Sequence, residues 1–225
     1  MSLFMHFWAL ILGTVVGLLP IINPLAAAPT FLTITEGDSP ERRTQQLRRA
    51  CCYMVAILVS FLVGGTFIMK FFGISIPGIR IAGGLLVGGI GWNMLMGQPG
   101  GIGADEHRTR EARAKSDVSF SPLAMPMLSG PGSIAVTIGF TSLARHWLDY
   151  VGIILGIAAV AWISYATLRL SERVVRAVGA NGMNALTKVM GFLLVCVGVQ
   201  FLLNGIQEAA TEPGFLKGLR DALHG

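Results

Sequence analysis

Apolar and charged residues alternate in long blocks along this chain. Six windows of 19 residues or more contain no Lys, Arg, Asp or Glu, and charged segments separate them. A transmembrane helix needs ~20 mostly apolar residues, so each window predicts one span. The windows cover residues 1–35, 50–69, 81–104, 118–144, 150–168 and 189–207.

Two of these windows contain three prolines each. Pro20, Pro24 and Pro29 lie in the first window, and Pro122, Pro126 and Pro131 lie in the fourth. A proline removes a backbone donor and clashes with the carbonyl four residues earlier. Freed backbone groups are costly in hydrocarbon unless protein or water satisfies them. We therefore expect spans 1 and 4 to be broken at these prolines and the broken backbone to face protein or a water-filled cavity.

The interrupted windows belong to a repeat. A shift of 108 positions places residues 79–97 on residues 187–205 with six identities in nineteen, and a shift of 107 places Asn23–Pro24 on Gly130–Pro131. Three spans per copy is an odd number, so the second copy must cross the membrane in the opposite sense. The sequence predicts an all-α integral membrane protein, a single membrane domain of six transmembrane helices. They form a 3+3 inverted repeat with halves 1–104 and 105–225.

The composition indicates a membrane protein, and the distribution of charge predicts its orientation. The chain has 53% apolar and only 13% charged residues, against ~25% charged in soluble domains. A cleaved signal peptide is a poor alternative for the first window, because no Lys or Arg precedes its long apolar run. Twelve of the seventeen basic residues lie in the segments after windows 1, 3 and 5. The positive-inside rule places these segments in the cytoplasm and both termini outside.

The candidate binding chemistry lies at the two breaks. Unwound carbonyls and half-helix amino ends bind charged groups in inverted-repeat transporters, and glycine lets a backbone approach a ligand closely. We expect a small zwitterion to bind near the midplane, although purely structural kinks are the alternative. The substrate-binding candidates are Asn23, Pro24, Ser129, Gly130, Pro131, Gly132 and Ser133, and the helix-break candidates are Pro20, Pro29, Pro122 and Pro126.

No catalytic centre or metal site is evident in the sequence. The four histidines are scattered, and Cys51, Cys52 and Cys196 have neither disulfide nor zinc spacing. No Asp or Glu lies in a window, so no carboxylate proton relay is evident. We expect no enzyme activity, no cofactor and no nucleic-acid partner. Arg80 and Lys188 are expected to snorkel to opposite membrane interfaces.

Four stretches resemble the MarC family of bacterial inner-membrane proteins. They are INPLAAAPTFLTIT, GISIPGIRIAGGLLVGGIGWNML, PLAMPMLSGPGSIA and MGFLLVCVGVQFLLNGI, and the likeness covers nearly the whole chain. The family is similar to the LysE-type exporter group, and some members are described as neutral amino-acid transporters. The resemblance implies a multi-pass inner-membrane protein whose substrates are small neutral amino acids such as glycine or alanine.

Several functions are open at this point. The first is a secondary transporter or exporter of a small neutral solute, with the substrate and the lipid bilayer as partners and homo-oligomers left open. A drug-efflux protein would want a larger aromatic cavity. A thiol-redox conduit would need paired cysteines at the breaks, where Asn23 and Gly130 stand. A non-transporting membrane scaffold is the fourth.

Overall fold

A computed structural model of the chain describes residues 3–96, 117–144 and 146–211, and all regular structure in these ranges is helical. The elements are α1 (Leu3–Ile22), α2 (Pro24–Ile34), α3 (Pro40–Phe72), α4 (Ile76–Met96), an irregular segment (Ser119–Leu128), α5 (Pro131–Phe140), α6 (Trp147–Arg169) and α7 (Ser171–Thr211). Within this part of the chain, five helices are long and apolar enough to span a membrane. The irregular segment and α5, which meet at 63°, supply a sixth as a bent pair.

The second and last spans are longer than their apolar windows. Helix α3 has 33 residues, or ~50 Å at 1.5 Å per residue, so its charged first turns extend beyond the ~30 Å hydrocarbon core. Ser39 caps α3 by accepting a hydrogen bond from Arg42 N at 3.3 Å, and Pro40 holds the first position. Helix α7 bends at Gly179 and continues to Thr211, beyond the end of the last apolar window at residue 207.

Close backbone contact joins α4 to α7, the most extensive helix pair of the fold. A Cβ atom added at Gly84 would lie 2.6 Å from Gly198 O, and one at Gly91 would lie 2.5 Å from Gly191 O. Residue numbers rise along α4 as they fall along α7, so the two helices are antiparallel. Small residues allow this close approach. In a membrane, such packing stabilises the helix pair, because lipid leaves no hydrophobic driving force between helices.

Six of the other helix contacts occur in three corresponding pairs. Helix α1 packs on α6 as the irregular segment packs on α3, α4 packs on α5 as α7 packs on α2, and α3 packs on α5 as α6 packs on α2. Exchanging the two halves of the chain turns each contact into its counterpart. This is the arrangement that an inverted repeat produces. The boundary at 104/105 lies outside the described residues and stays a prediction.

A belt of large apolar side chains remains exposed around the bundle. On α1 these residues recur every fourth position, at Phe4, Trp8, Leu12 and Val16. Similar side chains are exposed on α3, α4 and α7, including Phe67, Trp92 and Phe192. A soluble monomer rarely exposes so large an apolar surface, whereas a membrane protein needs it against lipid. The exposed faces therefore agree with a membrane-embedded bundle.

Candidate functional site

The first break takes a single residue. Asn23 adopts a left-handed conformation (φ 42°, ψ 64°), and its Oδ1 accepts a hydrogen bond from Ala26 N at 3.3 Å at the start of α2. Asparagine tolerates this conformation better than most residues, and proline suits the first helical position that Pro24 holds. The break is therefore made by the Asn-Pro pair, as the sequence predicts.

Pro20 and Pro29 do not break the first span, which corrects their assignment as helix-break residues. Pro20 lies inside α1 and Pro29 lies inside α2. Each removes one backbone hydrogen bond, but a proline ring fixes φ at a helical value, so the helix can continue past it. A break also needs a residue outside the right-handed region, and only Asn23 supplies one here.

The second break takes most of the segment before α5. Ser121 and Met125 are extended, with φ/ψ of −131°/118° and −128°/123°, and each precedes a cis proline, Pro122 or Pro126. A residue before proline is pushed from helical to extended geometry by its ring. Two such positions, four residues apart, keep the segment from forming a regular α-helix. Pro122 and Pro126 therefore lie where the sequence placed the break.

Both predicted serines are buried and bonded to the break itself. Ser129 Oγ donates to Ala124 O at 2.7 Å, and Ser133 Oγ donates to Gly130 O at 2.9 Å. Each hydroxyl has one proton, so neither of these two substrate-binding candidates has a free donor. The oxygens keep acceptor capacity. Each hydroxyl shares its carbonyl with a backbone N–H, that of Ser129 on Ala124 O and that of Ile134 on Gly130 O.

The two breaks lie next to each other. Gly132 is buried at the start of α5, and a Cβ atom added there would lie 3.4 Å from Ile21 Cγ2, two residues before Asn23. The same atom would lie 3.3 Å from Val87 Cγ2 in the middle of α4. Val87 is itself completely buried. The breaks of the two halves thus meet in the core of the bundle.

Asn23 carries an unexplained polar group. Its side chain is buried, with 7% of the residue exposed, and Nδ2 has no hydrogen-bond partner. Leaving a buried donor unpaired costs ~1–3 kcal/mol, and native proteins rarely do so without a reason such as water or ligand. The amide is therefore the group at the first break best suited to a bound molecule.

The second break opens to a groove of about 520 Å³ between α3, α4 and α5. Ser129 and Pro131 line it together with Met125 and Pro126, and most of the remaining wall is isoleucine; Asn23 is not part of the lining. The two breaks are adjacent, but they present different surfaces.

Two ion pairs near the helix ends were not predicted from the sequence. Arg80 does not simply snorkel, because Nη1 lies 2.9 Å from Glu208 Oε2 and Nη2 donates to Ser142 Oγ at 3.2 Å. Asp149 is buried at the start of α6, where it lies 3.2 Å from His6 Nε2 and accepts a hydrogen bond from His146 N. It stands one residue before the fifth apolar window, so a search of the window edges would have found it.

Other groups in the described ranges give no metal or redox centre. No three His, Cys, Asp or Glu side chains come together there as metal ligands. Cys51, Cys52 and Cys196 are free, in α3 and α7. The polar chemistry of this part of the chain therefore rests on the breaks and the paired charges.

Comparison with known proteins places the chain in a family. The model of the MarC family, described as integral membrane proteins, matches residues 8–210. The chain belongs to the MarC family. It is 41% identical over 217 residues to the inner membrane proteins MarC of Citrobacter koseri and Salmonella typhimurium, and over 212 residues to that of Escherichia coli. These alignments cover 90% of this chain and 96% of each relative. No solved structure matches this MarC-family chain.

Proposed function

We propose that this MarC-family protein is a secondary transporter or exporter of a small neutral solute, such as glycine or alanine. The observation that carries the proposal is the meeting of two broken spans around Gly132 and Ile21, beside the buried, unpaired amide of Asn23. Transporters with inverted repeats bind substrates between such discontinuous helices. An uncharged amide and bare helix ends suit a zwitterion, whose own charges are met by dipoles.

The site would use the two breaks differently. At the first break, Asn23 Nδ2 would donate to the substrate carboxylate. At the second, Gly130 holds an extended conformation before Pro131, the first residue of α5, so the amino end of this helix faces the junction. Partial positive charge at a helix amino end favours the same carboxylate. The ammonium group would then be bound by the acceptor lone pairs of Ser129 and Ser133.

Counterflow in liposomes tests this function. Purified protein is reconstituted with unlabelled glycine or alanine inside, and uptake of labelled substrate is followed with and without ion gradients. We expect exchange of both amino acids, and a gradient that accelerates it identifies the coupling ion. Failure of the wild-type protein to exchange either amino acid would contradict the proposal.

The apolar groove at the second break favours drug efflux as a second candidate. Its 520 Å³ is lined almost entirely by apolar side chains, five of them isoleucines, which suits a lipophilic compound better than an amino acid. The same liposomes therefore receive ethidium as a parallel substrate. Movement of ethidium without exchange of glycine or alanine would favour this second function.

We further propose that the protein lies in the inner membrane with both termini outside. Single cysteines are introduced at Gln45 near the start of α3 and at Ser75 before α4, in a variant that lacks Cys51, Cys52 and Cys196. An impermeant maleimide should label Ser75→Cys in intact cells and Gln45→Cys only after permeabilisation. The reverse pattern would invert the orientation.

A further inference from the structure

A second cavity lies at the end of the bundle where α4 begins and α7 ends. It measures about 160 Å³ and lies between α4, α5 and α7. Arg80 and Asn204 are the polar side chains of its lining, and Phe140 and Phe201 form aromatic walls. The cavity therefore combines one cation and one amide with an otherwise apolar interior. None of the residues predicted from the sequence to bind substrate lines it.

Arg80 retains donors that a ligand could use. Its contacts with Glu208 Oε2 and Ser142 Oγ engage the two terminal nitrogens, whereas a guanidinium has five N–H donors in a fixed fork. The Arg80 and Glu208 side chains are 27% and 37% exposed. Glu208 Oε2 itself is buried at this contact, but solvent reaches part of both side chains, so a ligand carboxylate can join Glu208 at the guanidinium.

The opposite charge of a zwitterion also has a partner here. Asn204 Oδ1 accepts a hydrogen bond from Gln200 Nε2 at 2.8 Å, which leaves one of its lone pairs for an ammonium group. Glu208 lies beside Arg80 but is not part of the cavity lining. An ammonium group needs such acceptors, and the two aromatic rings suit a short apolar side chain. The arrangement is therefore complementary to both charges of an amino acid and to its small body.

The volume limits the size of the ligand. An engineered cavity of ~150 Å³ holds benzene, which has six heavy atoms. Alanine also has six heavy atoms, so a cavity of about 160 Å³ can hold alanine or glycine and is too small for an aromatic amino acid.

We propose that this cavity is a second binding site, for a small zwitterionic amino acid with its carboxylate on Arg80 and its ammonium on Asn204. The proposal takes its ligand class from the proposed function. Val136 lines the cavity one turn after Ser133, so the site lies near the second break. The counterpart of Arg80 in the other half is Lys188 by the repeat offset, and Lys188 is exposed.

Binding to purified protein in detergent tests the site. Titration calorimetry compares L-alanine with propionate, which lacks the ammonium group, and with L-phenylalanine, which exceeds the volume. We expect alanine to bind, propionate to bind about ten-fold or more weakly, and phenylalanine not to bind, since losing a charge-assisted hydrogen bond has about that effect. Equal binding of propionate and alanine, or no alanine binding by the wild-type protein, would overturn the site.

Variants of the cavity locate the binding. Arg80→Gln should weaken alanine binding about ten-fold or more and Arg80→Lys less, because lysine keeps the charge without the fork. Lys188→Gln is the matched control and should bind as the wild type. Gly139 lines the cavity, and a Cβ atom added there meets nothing within 4 Å. Gly139→Leu should therefore fill the cavity without disturbing the fold, whereas Gly89→Leu on an open surface should be neutral.

These outcomes separate the two proposals. Alanine counterflow together with unchanged binding by Arg80→Gln and Gly139→Leu would overturn the second site and leave the proposed function standing. Alanine binding that depends on Arg80, in a protein that shows no counterflow, would overturn the proposed function and leave the second site standing. Equal losses in Arg80→Gln and Lys188→Gln would also overturn the second site.

Discussion

The two broken spans occupy equivalent places in the halves of the chain, yet their breaks are built differently. The first takes one residue, Asn23, which leaves the helical region and caps the next helix itself. The second takes the whole of Ser119–Leu128, with two extended residues ahead of two prolines, and bends by 63° into α5. The first is enclosed, and the second lines a groove.

This difference shows that the same sequence offset can produce unequal sites. An asparagine followed by a proline interrupts the helix briefly, because one left-handed residue is enough to redirect the chain. Where the residues before prolines are forced into extended geometry, a longer segment of backbone stays out of regular helix. Only the second break therefore presents a continuous surface to a ligand. The first contributes a single buried amide.

Gly132→Val should have the largest effect on transport. The first added carbon would already lie 3.3 Å from Val87 and 3.4 Å from Ile21, so the two further methyl groups would occupy the junction of the breaks. We expect counterflow to be abolished, with an overpacking cost of ~1–3 kcal/mol in stability. Gly13→Val on an open face of α1 is the control. Exchange at the wild-type rate by purified Gly132→Val would place the substrate elsewhere.

Asn23 substitutions should separate the amide from the backbone bend. Asn23→Gly keeps the left-handed conformation and removes the amide, so we expect ~1–3 kcal/mol weaker substrate binding with little loss of stability. Asn23→Ala should lose the same binding and a further ~1–2 kcal/mol of stability, because alanine disfavours this conformation. Substrate titrations measure the loss of binding in both variants, and thermal melts measure the loss of stability. Unchanged affinity in Asn23→Gly would show that the unpaired amide is not a ligand.

Pro20→Ala and Pro29→Ala should leave transport unchanged. Both prolines lie inside regular helices, and alanine restores a backbone donor without altering the bend at Asn23. Melting temperatures should stay equal or rise, since alanine favours a helix interior. Loss of counterflow in either variant would mean that these prolines shape the first break after all.

The sequence predicts the positions of both breaks but not their construction. Charge-free windows and the offset of about 107 residues place Asn23–Pro24 and Gly130–Pro131 correctly, because helix-breaking residues act locally. The regular course of α1 past Pro20 depends on tertiary packing, which overrides propensity. The Arg80–Glu208 contact joins residues far apart in the chain, so spacing does not reveal it. The sequence also makes Ser129 and Ser133 binding candidates, but it does not show that both hydroxyls are used in local hydrogen bonds to the backbone.

Asp117 should give the smallest effect, at the start of the second break. Its Oδ1 accepts a hydrogen bond from Ser119 N at 2.8 Å, and its Oδ2 lies 3.0 Å from Arg49 Nη1. The Ser119 hydrogen bonds, and then the Arg49 charge, hold the pKa of Asp117 below its usual 3.8. A pKa lowered by folding stabilises the protein fully above the unfolded value, and this contribution is lost as the pH falls through the folded value. Thermal melts of the wild type and Asp117→Asn should therefore change in parallel from pH 7 to about pH 5. Only the wild type should lose this contribution below about pH 4, and parallel curves there would show that Asp117 does not anchor the irregular segment.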